Sequence, residues 1–169
     1  ETAARLRGKG RLVYVDLHMI AYRVHADGRR EPAPAERWRD WLRVGDVLQC
    51  NEREFAALLP GGSEQERIRA VFDTAAPRCL VLTKGEQGAE LHFSPDDRRY
   101  VPAIPPVRTV DPTGCGDAFG STLALELARG TDAAAAAAHA ARVASFVAGI
   151  PGSDGLRGLR AHLAEARPA

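Results

Sequence analysis

The stretch 46–83, DVLQCNEREFAALLPGGSEQERIRAVFDTAAPRCLVLT, decides the fold class. It begins and ends with two short apolar runs, 46–50 and Cys79–Thr83, which lack a helical period. We therefore predict a buried strand at each. Apolar residues at helical spacing fill the segment between them. Strands that alternate with helices are typical of α/β folds, in which helices cover a sheet of largely parallel strands.

Two helices are predicted between these strands. Asn51 opens the first helix, and Pro60 with the two glycines that follow it ends that helix. Ser63 is followed three residues later by Glu66, which together form a capping box at the start of the second helix, and Pro77 ends it. Both helices are therefore bounded by residues whose chemistry favours a helix end.

Upstream of this stretch, a buried strand is predicted over residues 11–18. A polar segment follows, in which we predict no regular element. Trp38, Trp41 and Leu42 then recur at the spacing of an amphipathic helix, and we expect all three to face the core.

Downstream, two strands of a meander are predicted at 89–93 and 99–103. Three helices are predicted after them, at 114–129, 131–149 and 156–166. Thr131 is the predicted cap of the longest helix, which contains an alanine run. The whole pattern predicts an α/β layered sandwich with a largely parallel sheet, and we assign residues 1–169 to one part of a single domain.

Composition limits the classes of function. The chain has 169 residues, of which 45% are hydrophobic and 27% charged, so it can bury a sizeable core. Its 23 Lys and Arg nearly balance its 22 Asp and Glu, and the two signs are interspersed. This excludes the strong positive field that would favour nucleic acid or an acidic membrane, and we expect neither partner.

The cysteines and the hydropathy favour a cytoplasmic protein. Cys50, Cys79 and Cys115 are widely spaced and form no C-x-x-C pair, so neither a zinc site nor a disulfide framework is predicted. No apolar run approaches the about 20 residues that span a bilayer, and the first ten residues are polar where a signal peptide would be apolar.

The segment 110–122, VDPTGCGDAFGST, carries the most chemical information. Gly114, Cys115 and Gly116 precede an apolar helix, where free backbone N–H groups and the helix dipole favour a bound anion such as a phosphate. Asp117 lies in the first turn of the same helix, where it could accept a proton from a hydroxyl group that attacks that phosphate. The alternative is that Asp117 only complements the dipole and that the glycines only make a turn.

This segment resembles the C-terminal signature of the ribokinase-like, PfkB-type carbohydrate kinases, D-P-T-G-A-G-D-A-F, with Cys115 where alanine is commoner. Weaker matches lie in the same order along the chain, at 51–54 (NERE), 83–89 (TKGEQGA) and 139–141 (HAA). The resemblance implies a ribokinase-like sandwich that transfers the γ-phosphoryl group of ATP to a sugar hydroxyl. It also implies that Asp117 is the catalytic base and that residues 114–116 form the anion hole.

Further roles are implied by the flanking matches. Asn51 and Glu54 match a family motif that acts near the phosphates and their Mg²⁺, although an N-cap with Glu three residues on explains them equally. Thr83 and Gly85 match a turn that lines the ATP site, and a plain hairpin loop is the alternative. His139 matches a position near the adenine, and otherwise it is a packed or solvated side chain.

A monovalent cation, usually potassium, is implied at Asp111 and Thr113. In many family members these positions bind the ion together with carbonyl groups of a loop that corresponds to 149–155 here. The alternative is that Asp111 and Pro112 only initiate a turn.

Family members are much longer than this chain, and their N-terminal half contributes the lid and the sugar-binding segments. The resemblance therefore implies that this chain is the C-terminal, ATP-side part of a kinase, without the N-terminal part and lid. Residues 16–18 differ from the D-x-N-x-R pattern of fructokinase-like members. The resemblance therefore does not identify which sugar is the substrate. A nucleoside or other small-alcohol kinase, or a truncated non-catalytic nucleotide-binding domain, remain alternatives. An exposed strand edge would favour self-association, for example as a homodimer.

Overall fold

The computed structural model describes residues 11–104 and 108–152. The chain divides into two compact units, which consist of the residues up to Lys84 with Glu90–Arg99, and of Gly85–Ala89 with the residues from Tyr100 onward. Each unit is described by itself below.

The described residues form seven strands and five α-helices. The strands are β1 (Tyr14–Asp16), β2 (Tyr22–Val24), β3 (Arg30–Pro32), β4 (Val47–Asn51), β5 (Cys79–Thr83), β6 (Ala89–His92) and β7 (Arg98–Val101). The helices are α1 (Trp38–Val44), α2 (Glu52–Leu58), α3 (Glu64–Ala75), α4 (Cys115–Ala128) and α5 (Ala133–Ala148). Short 3₁₀ turns lie at His18–Ala21 and Gly85–Gln87.

Five strands form one sheet in the order β1-β4-β5-β6-β7. Strands β1, β4 and β5 are parallel, with Asp16 opposite Gln49 and Asn51 opposite Thr83. Because they are parallel, these three strands end at the same edge of the sheet. The predicted mixed α/β fold with a mostly parallel sheet is confirmed.

The core of the first unit lies where β4 and β5 pack against the helices beside them. Leu48 and Leu80 are fully buried on the strands, and Phe55 of α2 and Ile68 of α3 are 1% exposed. The apolar stripes that predicted these helices are therefore the surfaces that they bury.

The polar segment before α1 contains a β-hairpin that the sequence analysis missed. Strands β2 and β3 pair antiparallel, and residues 25–28 form a turn between them, which the Gly28 N–H closes by donating to the His25 carbonyl at 2.9 Å, with Gly28 at φ +82°. Asp-Gly is a strong hairpin signal, but the flanking strands are too short to show an alternating pattern. The predicted stripe of α1 was also partly wrong, since Trp38 is buried while Trp41 is 46% exposed.

Helix α5 is capped by Asp132 and not by Thr131. The Asp132 carboxylate accepts hydrogen bonds from the N–H groups of Ala134 and Ala135 at 3.0 and 3.3 Å. The Thr131 hydroxyl instead donates to Glu126 of α4 at 2.9 Å, so a tertiary partner decides between two suitable caps. The predicted helix at 156–166 lies outside the described residues. Within the described part of the chain, no helix has the length and apolarity needed to span a bilayer.

Candidate functional site

The predicted N-x-x-E motif of the first unit is a capping box at the end of β4. The Asn51 side-chain oxygen accepts a hydrogen bond from the Glu54 N–H at 2.9 Å. In return, Glu54 Oε2 accepts one from the Asn51 N–H at 2.8 Å. The N-cap interaction that was the alternative explanation of this motif is therefore present. It fixes both side chains at the carboxyl end of the parallel strands.

Glu54 has a second partner that comes from the end of β1. Its side chain is only 4% exposed, and Oε1 pairs with Nδ1 of His18. The His18 N–H donates to Asp16 at 2.9 Å, which holds the chain at this turn. A buried carboxylate is thus held on both oxygens at the edge of the sheet where ligands bind in α/β folds.

Thr83 ends the neighbouring strand β5, directly opposite Asn51 in the sheet register. Its hydroxyl donates to the Cys50 carbonyl at 3.5 Å. The structure therefore brings Asn51, Glu54 and Thr83 to one edge of the first unit.

Lys84 follows Thr83, and its ammonium group lies among three carboxylates. Nζ is 2.9 Å from Glu64, 3.3 Å from Glu90 and 3.9 Å from Glu52. Burial acts to lower the pKa of Lys84, but the hydrogen bond and charge of Glu64, followed by those of Glu90, hold it above its ordinary value. The charge of this lysine is therefore balanced within the first unit.

In the second unit, α4 begins at the glycine-rich motif as predicted. Gly114 is the N-cap residue, at φ +83°, a conformation that residues with a side chain rarely adopt. Among the described residues, no atom lies within 4 Å of the position that a Cβ atom would take on Gly114 or Gly116, so there is open space beside the backbone at this helix start. One expectation was wrong: the Cys115 N–H is not free, because it donates to the Pro112 carbonyl at 3.2 Å.

Asp117 lies in the first turn of α4, beside this open space, and it is exposed. Among the residues that the structure describes, its carboxylate has no hydrogen-bond or ion-pair partner. A first-turn carboxylate without a partner is available to accept a proton from a bound molecule.

Asp111 and Thr113 form a turn that lies against the end of α5. The Asp111 carboxylate accepts the Thr113 N–H at 2.9 Å, and the Asp111 N–H donates to the Ala148 carbonyl at 3.2 Å. Hydrogen bonds from Thr113, and a weaker one from the Gly152 N–H, hold the pKa of Asp111 below its ordinary value. The loop after α5 thus lies beside Asp111, as the predicted cation site requires. The turn at Asp111, which is the alternative explanation of these residues, is also present.

His139 lies on α5, on the side that faces Glu126 of α4, and is 8% exposed. Its Nδ1 lies 3.5 Å from Glu126, while its buried Nε2 has no partner among the described residues. Hydrogen bonds from Thr131, and then from Arg129, hold the pKa of Glu126 below its ordinary value. His139 is therefore a packed side chain in the second unit, and its predicted place near an adenine stays a prediction.

The predicted residues are thus divided between the two units. Asn51, Glu54 and Thr83 make up the first group, in the first unit. Gly85, in the 3₁₀ turn after β5, belongs to the second unit with Asp111, Thr113, residues 114–117 and His139. Across residues 11–104 and 108–152, no cluster of three or more His, Cys, Asp or Glu side chains could by itself hold a metal ion.

The sequence analysis missed two residues of the first group, His18 and Arg30. Arg30 Nη1 lies 3.2 Å from His18 Nε2, on the side of the ring away from Glu54. The position of His18 at the carboxyl end of a predicted strand was a signal for the first residue. Arg30 had none, because the hairpin that carries it was not predicted.

Comparisons with known proteins show the family to which the chain belongs. A family model described as pfkB family carbohydrate kinase matches residues 23–156. The ribokinase of Bacillus subtilis (strain 168) is 33% identical over 106 residues, which cover 62% of this chain and 34% of the relative.

Two solved structures extend the comparison. A chain from E. coli in complex with ATP and Mg²⁺ superposes with a TM-score of 0.63, at 25% identity, and covers 76% of this chain and 43% of that chain. A nucleoside kinase from Burkholderia thailandensis in complex with inosine superposes with a TM-score of 0.60, at 26% identity, over 77% of this chain and 44% of that one. The chain therefore spans about a third of the curated relative, and less than half of each solved chain.

Proposed function

Because the chain belongs to the pfkB family of carbohydrate kinases and has a ribokinase-like fold, we propose that it carries the ATP-binding and catalytic part of a sugar kinase. The reaction is the transfer of the γ-phosphoryl group of ATP to a hydroxyl group. The observation that supports this most directly is the exposed carboxylate of Asp117 at the start of α4, which has no partner in the part of the chain that the structure describes.

Asp117 is the base in this proposal. The sugar oxygen attacks the γ-phosphorus, the bond between that phosphorus and the β–γ bridging oxygen breaks, and ADP leaves with the bonding electrons. The hydroxyl proton passes to the Asp117 carboxylate. Such a reaction depends mainly on positioning and on stabilisation of charge, and a rigid helix start supplies both.

The N-terminus of α4 is the proposed anion hole. Residues 114–116 lie where the helix dipole favours negative charge, and the absence of Cβ atoms on Gly114 and Gly116 lets a phosphate approach the backbone. Since the Cys115 N–H already has a partner, stabilisation would rest mainly on the helix dipole.

Asn51 and Glu54 are proposed to act near the phosphates and Mg²⁺. A magnesium ion usually keeps several waters and neutralises the charge that develops on the phosphates. Glu54 fits this role, because a carboxylate with one partner on each oxygen still has lone pairs for a metal-bound water. We assign Thr83, Gly85 and His139 to the nucleotide, and Asp111 and Thr113 to a monovalent cation such as K⁺.

A second candidate is a nucleoside kinase with the same catalytic group. The likeness to the Burkholderia thailandensis protein, which was solved with inosine, favours it. The two candidates differ only in the acceptor, so a coupled assay over a panel of sugars and nucleosides separates them.

The first prediction tests Asp117 in the protein at its full encoded length. Asp117→Asn should lower turnover about 10²–10⁴-fold, the usual contribution of a general base, while ADP affinity stays within twofold in calorimetry. Asp73→Asn, which removes an exposed carboxylate from α3, is the control and should leave both unchanged. If Asp117→Asn keeps more than half of the turnover, Asp117 is not the base.

A further inference from the structure

His18 is held on three sides at the carboxyl edge of the first unit. Its Nδ1 pairs with Glu54, and its Nε2 lies 3.2 Å from Arg30 Nη1. The Tyr22 ring packs against the imidazole at 5.9 Å between centroids. The side chain is still 42% exposed, so these three contacts are what orients the ring.

The chemistry of Arg30 decides where the proton of this ring resides. A guanidinium group only donates hydrogen bonds, so His18 Nε2 must present its lone pair to Arg30. The proton of a neutral imidazole is then on Nδ1, where it donates to the Glu54 carboxylate. None of the described carboxylates pairs with Arg30, so its donors are directed to this ring and to solvent.

Glu54 is thereby fixed on both oxygens. Its Oε2 accepts the Asn51 N–H of the capping box, and its Oε1 accepts the His18 proton. The side chain is 4% exposed, so these two donors, more than solvent, fix its position. The capping box alone would fix the first oxygen and leave the other to solvent.

We propose that His18 and Arg30 are positioning residues that fix the Glu54 carboxylate for its action on the Mg²⁺–nucleotide complex, an inference that rests on the proposed function. The hairpin β2–β3 then has a role in the site, because its strand β3 carries Arg30. Partners of this kind, which orient a group near a metal, typically change metal affinity about 10–100-fold when they are removed.

The first test needs neither nucleotide nor metal. In the ¹⁵N-labelled chain at pH 8, two-bond ¹H–¹⁵N spectra should show His18 with a protonated Nδ1 and a bare Nε2. The signals are assigned by their loss in His18→Asn. Arg30→Met should mix the two tautomers. Arg29→Met, which removes the same charge one residue away, should not. A wild-type ring protonated on Nε2 would overturn the proposal.

The second test measures the Mg²⁺ needed for half-maximal ADP binding by calorimetry. His18→Leu should raise it about tenfold, and Arg30→Met should raise it by less. His18→Asn should stay close to wild type, because its amide N–H can replace Nδ1–H as the donor to Glu54. A structural role alone would weaken binding without this rescue, and equal values for His18→Leu and wild type would refute the positioning role.

The two proposals fail differently. If the wild-type chain binds no ADP at any Mg²⁺ concentration, the proposed nucleotide site is wrong. In that case the tautomer and its response to Arg30→Met still show whether Arg30 orients His18 toward Glu54. An Nδ1–H tautomer that is indifferent to Arg30→Met would remove Arg30 from the proposal.

Discussion

Gly116 is the residue at which nucleotide binding and stability can be separated. It has helical geometry, and a Cβ atom there would meet nothing within 4 Å. Gly116→Ala should therefore raise the free energy of unfolding by about 0.4–1 kcal/mol, as removal of an unstrained glycine does. If phosphate lies against this backbone, the added methyl group should weaken ADP binding about tenfold, or about 1.4 kcal/mol.

A matched control lies less than two turns further along α4. Ser121 is exposed, and Ser121→Ala also improves helix propensity, so it should raise stability and leave ADP binding unchanged. Urea denaturation and calorimetry on both variants give the comparison. If ADP binds Gly116→Ala as tightly as wild type, the phosphates are not at this helix end.

At the scale of the element, α3 offers a test of how local chemistry sets a helix boundary. The Glu66 carboxylate accepts hydrogen bonds from the Ser63 N–H at 2.6 Å and from its hydroxyl at 2.9 Å. The N–H bond, and then the hydroxyl bond, hold the pKa of Glu66 below its ordinary value. A carboxyl whose pKa is lower in the folded state stabilises the fold above its unfolded-state pKa, which is about 4.3.

Glu66→Gln keeps a side chain that can complete a capping box but removes the charge. The wild type should be more stable than this variant at pH 7, and the difference should vanish as the pH falls through the folded-state pKa of Glu66. Urea denaturation between pH 7 and pH 3 measures it. Asp73→Asn, also on α3, controls for net charge. A difference that stays constant over this range would contradict the capping role of the carboxylate.

The helices show what local sequence can predict and what it cannot. The capping boxes at Asn51 and Ser63 were predicted, because each is made by residues three apart. The cap of α5 was not, because Thr131 and Asp132 are both good caps, and Glu126 on another helix binds the first. Local motifs therefore predict a boundary well only where no tertiary partner competes for the capping side chain.

At the scale of the whole molecule, the parallel order of β1, β4 and β5 follows from the alternation of strands with helices. This order places Asn51 and Thr83 at one edge. The partners of Glu54 could not be predicted in the same way. His18 is 36 residues from Glu54 in sequence, and no periodicity links the two. Sequence thus predicts which residues reach a site edge, but packing decides which of them touch.

The last prediction concerns the 169-residue chain itself. It matches 34% of the Bacillus subtilis ribokinase and 43% of the E. coli chain solved with ATP and Mg²⁺. We expect it to bind ADP weakly in the presence of Mg²⁺, since the proposed nucleotide residues are all within it. We expect no sugar phosphorylation, because transfer requires the acceptor hydroxyl to be held within about 2.6–3.2 Å of the base, and most of each relative's length has no counterpart here.

Calorimetry with ADP and a coupled kinase assay over sugars and nucleosides test this directly. Gly116→Ala serves as the control for binding, because it should weaken any signal that comes from the start of α4. ADP binding that Gly116→Ala weakens, without turnover, would agree with a nucleotide-side part that needs the rest of a kinase for its acceptor. Turnover with any acceptor would show that this chain positions a hydroxyl group beside Asp117 by itself, and the acceptor site would then have to be sought among its own residues.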